Sequence, residues 1–334
     1  MEALMKSLCE AYGPSGEEKE IRALIENAVK DSVDRIYTDN LGNLLAVREG
    51  PEPALLLSAH MDEIGVIVTH IDENGFLRIA PVGGVAPHLL LGQRLRFKNG
   101  AVGTVYHEKL KELRDLDWSK LYLDLGAGSA AEAKNVAQIG DMACLHQPFD
   151  SLNGRYMAKA LDDRVGCAIL IETARRLAGA PLPQAICFLF SVQEEVGLRG
   201  ATTAAYSIQP GYGLAVDVTR AGDTPKAPLM EVSLGKGPAI KVKDSSVICS
   251  PKVRRFMMEV ASQHEIPYQL EVLERGGTDA GAIHLSRGGV PTGALSIPCR
   301  YIHTASEMVD AADIQNAVKL LEILCRTSWS EGVS

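Results

Sequence analysis

Apolar residues recur at two different spacings in the first part of the chain, and these spacings predict a helix followed by strands. Between residues 21 and 29 they recur at helical intervals, directly after a Ser15–Glu18 segment with the spacing of a capping box. This pattern predicts a helix over about residues 16–31. Short apolar runs around a turn-rich link then predict three strands, which span residues 35–38, 44–48 and 54–59.

Residues 66–153 have a different pattern. Short β-branched runs alternate with Asn-Gly and Gly-Gly turns, and there is little helical periodicity. The predicted strands span residues 66–69, 76–79, 94–97 and 102–105. The segment is therefore predicted to be a small β domain that is inserted into the rest of the fold.

Beyond this insertion, helical and strand patterns alternate along the chain. Such alternation is typical of an α/β sheet that is covered by helices on both faces. The predicted helices span residues 163–178, 199–206, 251–264 and 310–326, and the predicted strands span residues 185–191, 213–218, 268–273 and 292–297.

The composition narrows the class of protein. The chain has 334 residues, of which 46% are hydrophobic and 23% charged, which suits one large or two modest globular domains. A net charge of -8 leaves no surplus of Lys and Arg to neutralise a polyphosphate backbone. This balance argues against nucleic acid as a partner.

Two further features of the sequence indicate the cellular location of the protein. No apolar run approaches the roughly 20 residues that cross a bilayer, and no signal peptide is visible at the N-terminus. The seven cysteines are odd in number, widely scattered and never in C-x-x-C spacing, so we expect reduced core residues. We therefore expect a cytoplasmic protein with no membrane partner.

Short polar clusters follow several predicted strands, where ligands bind in open α/β sheets. His60 and Asp62 stand two residues apart in extended chain, so both side chains lie on one face and the carboxylate can fix the imidazole tautomer. A strand-end histidine with a satisfied hydrogen bond is the competing interpretation. Asp162 and Asp163 directly precede an apolar helix, which one of them could cap while the other bridges two cations.

Three more positions carry candidate chemistry. Glu194 and Glu195 follow an apolar strand, where adjacent carboxylates diverge, so that one can bind a metal and the other face an activated water. Two solvated glutamates that enter a helix are the competing interpretation. Asp217 lies in an apolar strand, and buried acids are rare unless they are paired or metal-bound, although a surface edge would also accommodate it. His303 taken alone would usually be structural.

Taken together, these clusters contain two histidines, three to five acids and no cysteine with ligand spacing. Nitrogen and oxygen ligands in this combination are typical of a catalytic centre with two divalent metal ions. The sequence therefore predicts two metal ions per subunit, with zinc favoured and cobalt second.

Six motifs occur in an order and spacing that match one family over nearly the whole chain. By them the chain resembles the metallopeptidases of family forty-two, which are the glutamyl and tetrahedral (TET) aminopeptidases. The motifs are SAHMDEIG at 58–65, KALDDRVG at 159–166, QEEVGLRGA at 193–201, AVDVT at 215–219, GGTDAGAIHLSRGGVPTG at 276–293 and IPCRYIHTASEM at 297–308.

The resemblance assigns roles to the candidate residues. It implies Glu194 as the general base, Asp62 as the partner that orients His60, and a cis peptide bond between Asp162 and Asp163. One departure from the family pattern is Ala305, where proline is expected. The implied metal ligands are Asp162 as the bridge, His60 and Asp217 at one ion, and Glu195 and His303 at the other.

The resemblance also implies a fold and an assembly. The fold is α/β, with a mixed, mostly parallel sheet, helices on both faces and an inserted small β-barrel domain. Residues 1–66 and 154–334 form the catalytic domain, and residues 67–153 form the inserted dimerisation domain. Dimers then assemble into a hollow tetrahedral dodecamer.

The predicted function is removal of N-terminal residues from short peptides. Glu194 takes a proton from the attacking water and delivers it to the leaving amine, while one metal polarises the scissile carbonyl and the other holds the free α-amine. Thr278 and Asp279, in a glycine-rich turn, are candidates for lining the substrate, although the turn could simply start a helix at residue 279.

Three other functions compete with this prediction. A related deacylase or carboxypeptidase could use the same metal-binding residues, and only the groups that recognise the other end of the substrate would separate them. A glycosidase is less consistent, because adjacent glutamates do not readily flank one bond at a separation of roughly 5 to 10 Å. A scaffold that has lost its metal is inconsistent with the complete ligand set.

Overall fold

The structure is a computed structural model that describes residues 1–333, and it confirms the predicted alternation of helices and strands. The α-helices are Glu2–Glu10 (α1), Lys19–Val29 (α2), Ala130–Lys134 (α3), Leu161–Leu177 (α4), Arg199–Ile208 (α5), Pro251–Gln263 (α6), Ala280–Ile283 (α7), Ala311–Arg326 (α8) and Trp329–Gly332 (α9). The first strands are Arg35–Thr38 (β1), Leu44–Arg48 (β2), Leu55–His60 (β3), Gly65–Ile71 (β4), Leu77–Val82 (β5), Arg94–Phe97 (β6), Val102–His107 (β7), Leu121–Asp124 (β8) and Met142–Leu145 (β9). The remaining strands are Asp150–Leu152 (β10), Arg155–Ala158 (β11), Ile186–Ser191 (β12), Tyr212–Arg220 (β13), Ala239–Lys243 (β14), Gln269–Val272 (β15), Thr292–Arg300 (β16) and Glu307–Asp310 (β17).

One eleven-stranded sheet organises the larger part of the chain. Its order is β1-β2-β12-β3-β13-β16-β17-β11-β10, with β14 joined to β16 and β15 joined to β14. The four central strands, β12, β3, β13 and β16, run parallel, and the pairings toward both margins are antiparallel. The sheet is mixed, as predicted, and its parallel pairings are those of the four central strands and of β14 with β15. The carboxyl ends of the central strands consequently meet at one edge.

Both faces of the sheet are covered, which the side chains of β3 illustrate. Leu55 and Leu57 belong to a large core formed with helices α1, α2, α4, α6 and α8. Leu56, between them, belongs to a smaller core on the opposite face, formed with α5 and α7. Successive side chains of a strand point to opposite faces, so a continuous apolar run is buried on both sides. This explains why β3 is apolar throughout rather than alternating.

The inserted segment folds into a closed barrel. Its strands follow the order β4-β5-β8-β7-β6-β9 around the barrel and surround a separate core that includes Val66, Leu77, Leu95 and Leu123. Four of the six strands match predicted strands, whereas β8 and β9 were not predicted. The barrel strands extend from Gly65 to Leu145. The boundaries proposed for the two domains, at residues 66 and 154, stay a prediction.

The predicted capping box at the start of α2 is wrong. The helix begins at Lys19, and its N-cap residue, Glu18, makes no capping hydrogen bond through its side chain. The hydroxyl of Ser15 instead donates to Asp62 Oδ2 at 2.6 Å. The motif has the right spacing for a cap, but a buried carboxylate from another part of the chain binds this hydroxyl.

Two predictions about the chain as a whole can be compared with the structure. All seven cysteines are buried and unpaired, which confirms them as core thiols. Within residues 1–333, no helix combines the length and the apolar composition that a membrane span requires.

Candidate metal centre

The candidate residues meet where the central parallel strands end. His60 is the last residue of β3, and it lies in register with Ser191, the last residue of the neighbouring strand β12. Glu194 and Glu195 follow shortly after Ser191. On the other side of β3, the parallel strand β13 carries Asp217 near its carboxyl end. The sheet order therefore brings together residues that are up to 157 positions apart in the sequence.

Asp162 lies between the two histidines. Its Oδ1 atom is 3.0 Å from His60 Nε2, and its Oδ2 atom is 3.4 Å from His303 Nε2. His303 Nε2 is also 3.1 Å from Glu195 Oε1. Each carboxylate oxygen of Asp162 thus faces a different histidine, which is the arrangement that a bridge between two cations requires.

The second group of possible ligands lies on the other side of His60. Ligand atoms of His60, Asp163 and Asp217 all lie within 4.8 Å of one another, as do those of His60, Asp162 and Glu195. The carboxylate of Asp163 already accepts two backbone hydrogen bonds. The N–H of Gly166 donates to its Oδ1 at 3.0 Å, and the N–H of His60 donates to its Oδ2 at 3.2 Å. Of the two aspartates, Asp163 therefore serves the start of α4 and Asp162 stays available to a metal. The peptide bond between them is cis, as predicted.

Asp62 contacts more residues of the site than the sequence suggested. Its Oδ1 atom lies 3.4 Å from His60 Nδ1, whose closest contact is the backbone oxygen of Asp62 at 3.1 Å. The same carboxylate accepts hydrogen bonds from the backbone N–H groups of Glu194 at 3.0 Å and Glu195 at 3.3 Å. Burial opposes ionisation, but the hydrogen bond and charge of His60, together with the hydrogen bonds from Ser15 and Glu194, outweigh it and lower the pKa of Asp62. Asp62 thereby fixes His60 and both glutamates together.

Glu194 lines the cavity at the centre and lies farther from His60 than Asp162 does. Its Oε2 atom is 3.9 Å from His60 Nε2, compared with 3.1 Å between Glu195 and His303. Burial raises the pKa of the Glu194 carboxyl well above its usual range, and the charge of Asp217 adds to this effect. A buried carboxyl with high proton affinity beside a metal site is suited to accept and release a proton.

The electrostatics of the centre indicate a cation. Burial, and then the charge of Asp162, raise the pKa of Asp217 well above its usual range. Burial also disfavours protonation of His303, yet its hydrogen bonds with Asp162 and Glu195 raise its pKa to about 12. Carboxylates crowded at a buried position repel one another unless positive charge offsets them. Carboxylate oxygens and imidazole nitrogens in this set fit a divalent metal ion.

Glu307 is a site residue that the sequence reasoning missed. It lies on β17 with 1% of its surface exposed. Its Oε1 atom accepts the backbone N–H of His303 at 2.7 Å, and its Oε2 atom accepts that of Asp162 at 2.9 Å. One carboxylate thus ties together two candidate ligands from distant parts of the chain. A buried glutamate four residues after His303, within the last of the six motifs, was the available signal.

The barrel also reaches the centre, through a glycine pair after β5. The backbone oxygen of Gly84 lies 3.0 Å from His303 Nδ1, opposite the nitrogen that faces Asp162. A Cβ atom on Gly84 would lie 2.7 Å from the His303 ring, and one on Gly83 would lie 3.1 Å from Glu195 Cβ. The Gly-Gly sequence was predicted as a turn. The structure shows that it also permits close approach of the barrel to the candidate ligands.

A cavity of about 350 Å³ opens onto the centre. The segment with Thr278 and Asp279 borders it through Gly276 and Gly277, whereas both of these side chains are buried. Asp279 Oδ2 accepts hydrogen bonds from the hydroxyls of Ser58 and Ser191, at the ends of β3 and β12. The role of Thr278 and Asp279 as substrate contacts therefore stays a prediction.

Comparison with known proteins agrees with this geometry. The model of the M42 glutamyl aminopeptidase family matches residues 42–320 of the chain. The chain belongs to this family. As a member it is an aminopeptidase, a hydrolase of peptide bonds, and its candidate metal centre accords with the metallopeptidase class.

Relatives of the chain match it over nearly their whole length. A lysyl aminopeptidase of Pyrococcus furiosus is 39% identical, over 96% of this chain and 95% of the relative. The structure of a TET aminopeptidase from a marine sediment archaeon of the Thaumarchaeota is 34% identical with a TM-score of 0.95, over 99% of this chain and 97% of the other. The TET1 peptidase of Pyrococcus horikoshii is 35% identical with a TM-score of 0.88, over 98% of this chain and 99% of the other. That peptidase can assemble into a tetrahedron or a large octahedral shell.

Ala305, where the resemblance led us to expect proline, has a defined place in the structure. Ala305 is buried, and it packs into the hydrophobic core of the barrel rather than into the core of the sheet. The loop that carries His303 is thereby attached to the barrel by Ala305 as well as by Gly84. The two parts of the chain meet directly beside a candidate metal ligand.

Proposed function

We propose that this M42 aminopeptidase removes N-terminal residues from short peptides with two divalent metal ions, zinc in the first place and cobalt as the alternative. The observation that carries the proposal is Asp162, whose two carboxylate oxygens face two different histidines. The proposed ligands are His60, Asp162 and Asp217 for one ion and Asp162, Glu195 and His303 for the other.

The protein residues supply positioning and proton transfer. When bound, two such ions act as Lewis acids toward the scissile carbonyl and increase the acidity of the water that attacks it. Glu194 accepts the proton of the attacking water and returns it to the leaving amine. Asp62 holds the backbone of Glu194 and the ring of His60, and the Gly84 carbonyl orients the ring of His303. Each reacting group is thus fixed before substrate enters.

The position of the cavity beside the centre supports an exopeptidase. A free α-amine can bind at the centre while the rest of a short peptide extends into the cavity of about 350 Å³. A deacylase or carboxypeptidase would need groups that recognise an acyl or C-terminal end. The match to the M42 family favours the aminopeptidase over these alternatives.

Metal removal and restoration tests the proposal. Treatment with a chelator should abolish hydrolysis of aminoacyl p-nitroanilides, and added zinc or cobalt should restore it. N-acetylated versions of the same substrates serve as controls and should resist hydrolysis. Full activity in protein that elemental analysis shows to be metal-free would overturn the metal mechanism, and preferential hydrolysis of the acetylated substrates would favour a deacylase.

We further propose that residues 67–153 form the dimerisation domain and that dimers assemble into a tetrahedral dodecamer. The closed barrel in this segment and the assembly of the TET1 peptidase of Pyrococcus horikoshii support this proposal. A cytoplasmic location is also proposed, and the seven unpaired cysteines support it, because thiols stay reduced in that compartment.

A further inference from the structure

Asp279 is a buried acid whose side chain neither caps a helix nor lines the cavity. Only 2% of its surface is exposed, and it is not among the described residues that border the cavity. It is the N-cap residue of α7, but its side chain makes no capping hydrogen bond. The start of this helix therefore does not account for an acid at this position.

The hydrogen bonds of Asp279 join two neighbouring strands of the sheet. Its Oδ2 atom accepts from the hydroxyl of Ser191 at 2.6 Å and also from the hydroxyl of Ser58. Both serines are fully buried, Ser191 at the end of β12 and Ser58 near the end of β3. Burial raises the pKa of Asp279, and the hydrogen bonds from the two serines counteract this effect. One carboxylate oxygen thus holds the side chains of two strands together.

The two serines lie shortly before residues of the metal centre. Ser58 precedes His60 by two residues, and Ser191 precedes Glu194 by three. The register of β12 with β3 ends where Ser191 lies beside His60. After this pair, Gln193 has a φ of 56°, in the left-handed region, so the chain leaves the direction of the strand. Asp279 therefore links the two strands at the point where their backbone pairing ends.

The second carboxylate oxygen of Asp279 gives no sign of a role in stability. Its Oδ1 atom is buried and has no hydrogen-bond partner within residues 1–333. An unpartnered buried polar atom is unfavourable for folding and calls for another explanation. The link between the strand ends supplies one.

We propose that Asp279 is a positioning residue that acts through Ser58 and Ser191 to set the separation of His60 and Glu194, and that it does not contact the substrate. The inference rests on the proposed aminopeptidase function and assigns a further residue to it. Because the three side chains form one hydrogen-bonded unit, loss of the carboxylate releases both strand ends. Misplacement of reacting groups by about 1 Å can lower turnover by about 100-fold.

The isosteric substitution Asp279→Asn separates positioning from substrate binding. In the zinc-loaded variant, kcat for leucyl p-nitroanilide should fall by about 10-fold to 100-fold, while KM changes by less than about twofold. The visible absorption spectrum of the cobalt-loaded variant without substrate should also differ from that of the wild type, because it reports the geometry of the metal ligands. A higher KM with unchanged kcat and an unchanged spectrum would make Asp279 a substrate contact and overturn the inference.

Substitution of the serines tests whether Asp279 acts through them. Ser58→Ala and Ser191→Ala, singly and together, should lower kcat and alter the cobalt spectrum in the same direction as Asp279→Asn. Added to the double serine variant, Asp279→Asn should lower kcat by less than about a further threefold, since residues of one hydrogen-bonded unit are not additive. Fully additive effects would overturn the inference. The serine variants also carry the test if Asp279→Asn does not fold.

Asp313→Asn is the matched control. Asp313 is another fully buried aspartate, and its carboxylate accepts the backbone N–H groups of Gly235 and Gly237, each at 2.7 Å. We expect this variant to have a lower Tm but the kcat and cobalt spectrum of the wild type. If Asp279→Asn likewise changes only Tm, its role is structural and the inference is overturned. A wild type that binds no metal, or that hydrolyses no aminoacyl substrate when loaded with metal, would instead contradict the proposed function.

Discussion

Glu194 and Glu195 are adjacent in sequence, yet the structure gives them different surroundings. Glu195 Oε1 lies 3.1 Å from His303 Nε2, whereas Glu194 Oε2 lies 3.9 Å from His60 Nε2. Both backbone N–H groups donate to Asp62, and the chain turns directly after them, since the N–H groups of Gly197 and Leu198 donate to the Glu194 carbonyl. Chemically identical groups can thereby take the separate roles of metal ligand and proton acceptor.

The substitution Glu194→Gln tests this division of roles. We expect the variant to keep its metal and its fold but to lose about two to four orders of magnitude in kcat, because an amide cannot accept the proton of the attacking water. Metal content by elemental analysis and steady-state kinetics measure the two effects. A variant that loses metal while Glu195→Gln retains it would show that the roles are exchanged.

The role of Glu307 in orienting two candidate metal ligands can also be tested by a single substitution. Its carboxylate accepts the backbone N–H groups of both Asp162 and His303, so Glu307→Ala should loosen two candidate ligands at once. We expect metal affinity to fall by about 10-fold to 100-fold, the usual effect of losing a group that orients a metal ligand. Titration calorimetry with zinc measures the affinity. Glu322→Ala, which removes surface ion pairs with Arg176 and Arg326, is the matched control and should bind metal normally.

Protonation of the buried acids predicts how metal binding depends on pH. Burial, and then the charge of Asp162, raise the pKa of Glu307 from 4.5 to about 8 in the metal-free protein. A group whose pKa is raised in the folded protein contributes fully to stability at a pH below its pKa in the unfolded chain. This contribution is lost as the pH rises through its pKa in the folded protein. Metal ions bind the deprotonated site. The stabilisation of the protein by bound metal should therefore increase over the pH interval between these two pKa values.

Thermal unfolding measures this dependence. The difference in Tm between zinc-loaded and metal-free protein should become larger from about pH 5.5 to about pH 8, an interval that lies between the unfolded and the folded pKa of Glu307. Buffers of matched ionic strength control for screening of surface charges. A difference in Tm that is constant or that shrinks over this interval would contradict the prediction.

At the scale of secondary-structure elements, we expect the contact between the Gly84 loop of the barrel and His303 to constrain the candidate metal centre. Because a Cβ atom on Gly84 would lie 2.7 Å from the His303 ring, Gly84→Ala should displace the ring from Asp162 and Glu195. We expect weaker metal binding and lower activity with little change in the fold of the barrel. The control is Gly288→Ala, where a Cβ atom would meet no atom within 4 Å. Equal metal affinity in the two variants would mean that the barrel does not constrain the centre.

The elements that the sequence predicted and those that it missed are not separated by length alone. The helix predicted over residues 163–178 and the strand over 185–191 appear as α4 and β12, with ends shifted by one or two residues. The nine-residue helix α1 was not predicted, whereas β1, β6 and β15 were predicted with only four residues each. The unpredicted strands β8, β9, β11 and β17 also have four residues each. Their pairing partners in the sheet or barrel, rather than their own sequences, make them strands.

We expect the assembly of the whole molecule to depend on the inserted segment. A small barrel with short strands has a limited core of its own and is stabilised by packing against a partner. We expect light scattering of the wild type at micromolar concentration to show a closed particle larger than a dimer, since homo-oligomers favour closed symmetry. Replacement of residues 68–152 by a short linker should abolish it. Only the particle size is informative in this variant, because the deletion also removes the Gly84 carbonyl from His303.

A monomeric wild type, or an oligomer that survives the deletion unchanged, would contradict this expectation. In a closed particle whose active sites face the interior, only short or unfolded peptides reach the metal centre. Comparison of a folded protein and its tryptic peptides as substrates measures that restriction. Equal cleavage of both would mean that the sites are open to bulk solvent.

Much of this protein follows from its sequence alone. The alternation of apolar runs predicted the sheet, its covering helices and the inserted β segment, because burial requires an apolar pattern that matches the period of each element. The residues of the metal centre were also predicted, because polar side chains directly after apolar strands lie at the edge where the strands end. The motifs supplied the family and the roles that we propose for these residues.

The tertiary structure decided which groups surround and orient the predicted residues. Ser15 binds Asp62 rather than capping a helix, Glu307 joins Asp162 to His303, and Gly84 reaches His303 from the barrel. Each of these contacts joins segments whose proximity depends on strand order and on the docking of the barrel. Local spacing has no means of encoding such proximity, because hydrogen bonds and steric approach depend on distances in space rather than along the chain.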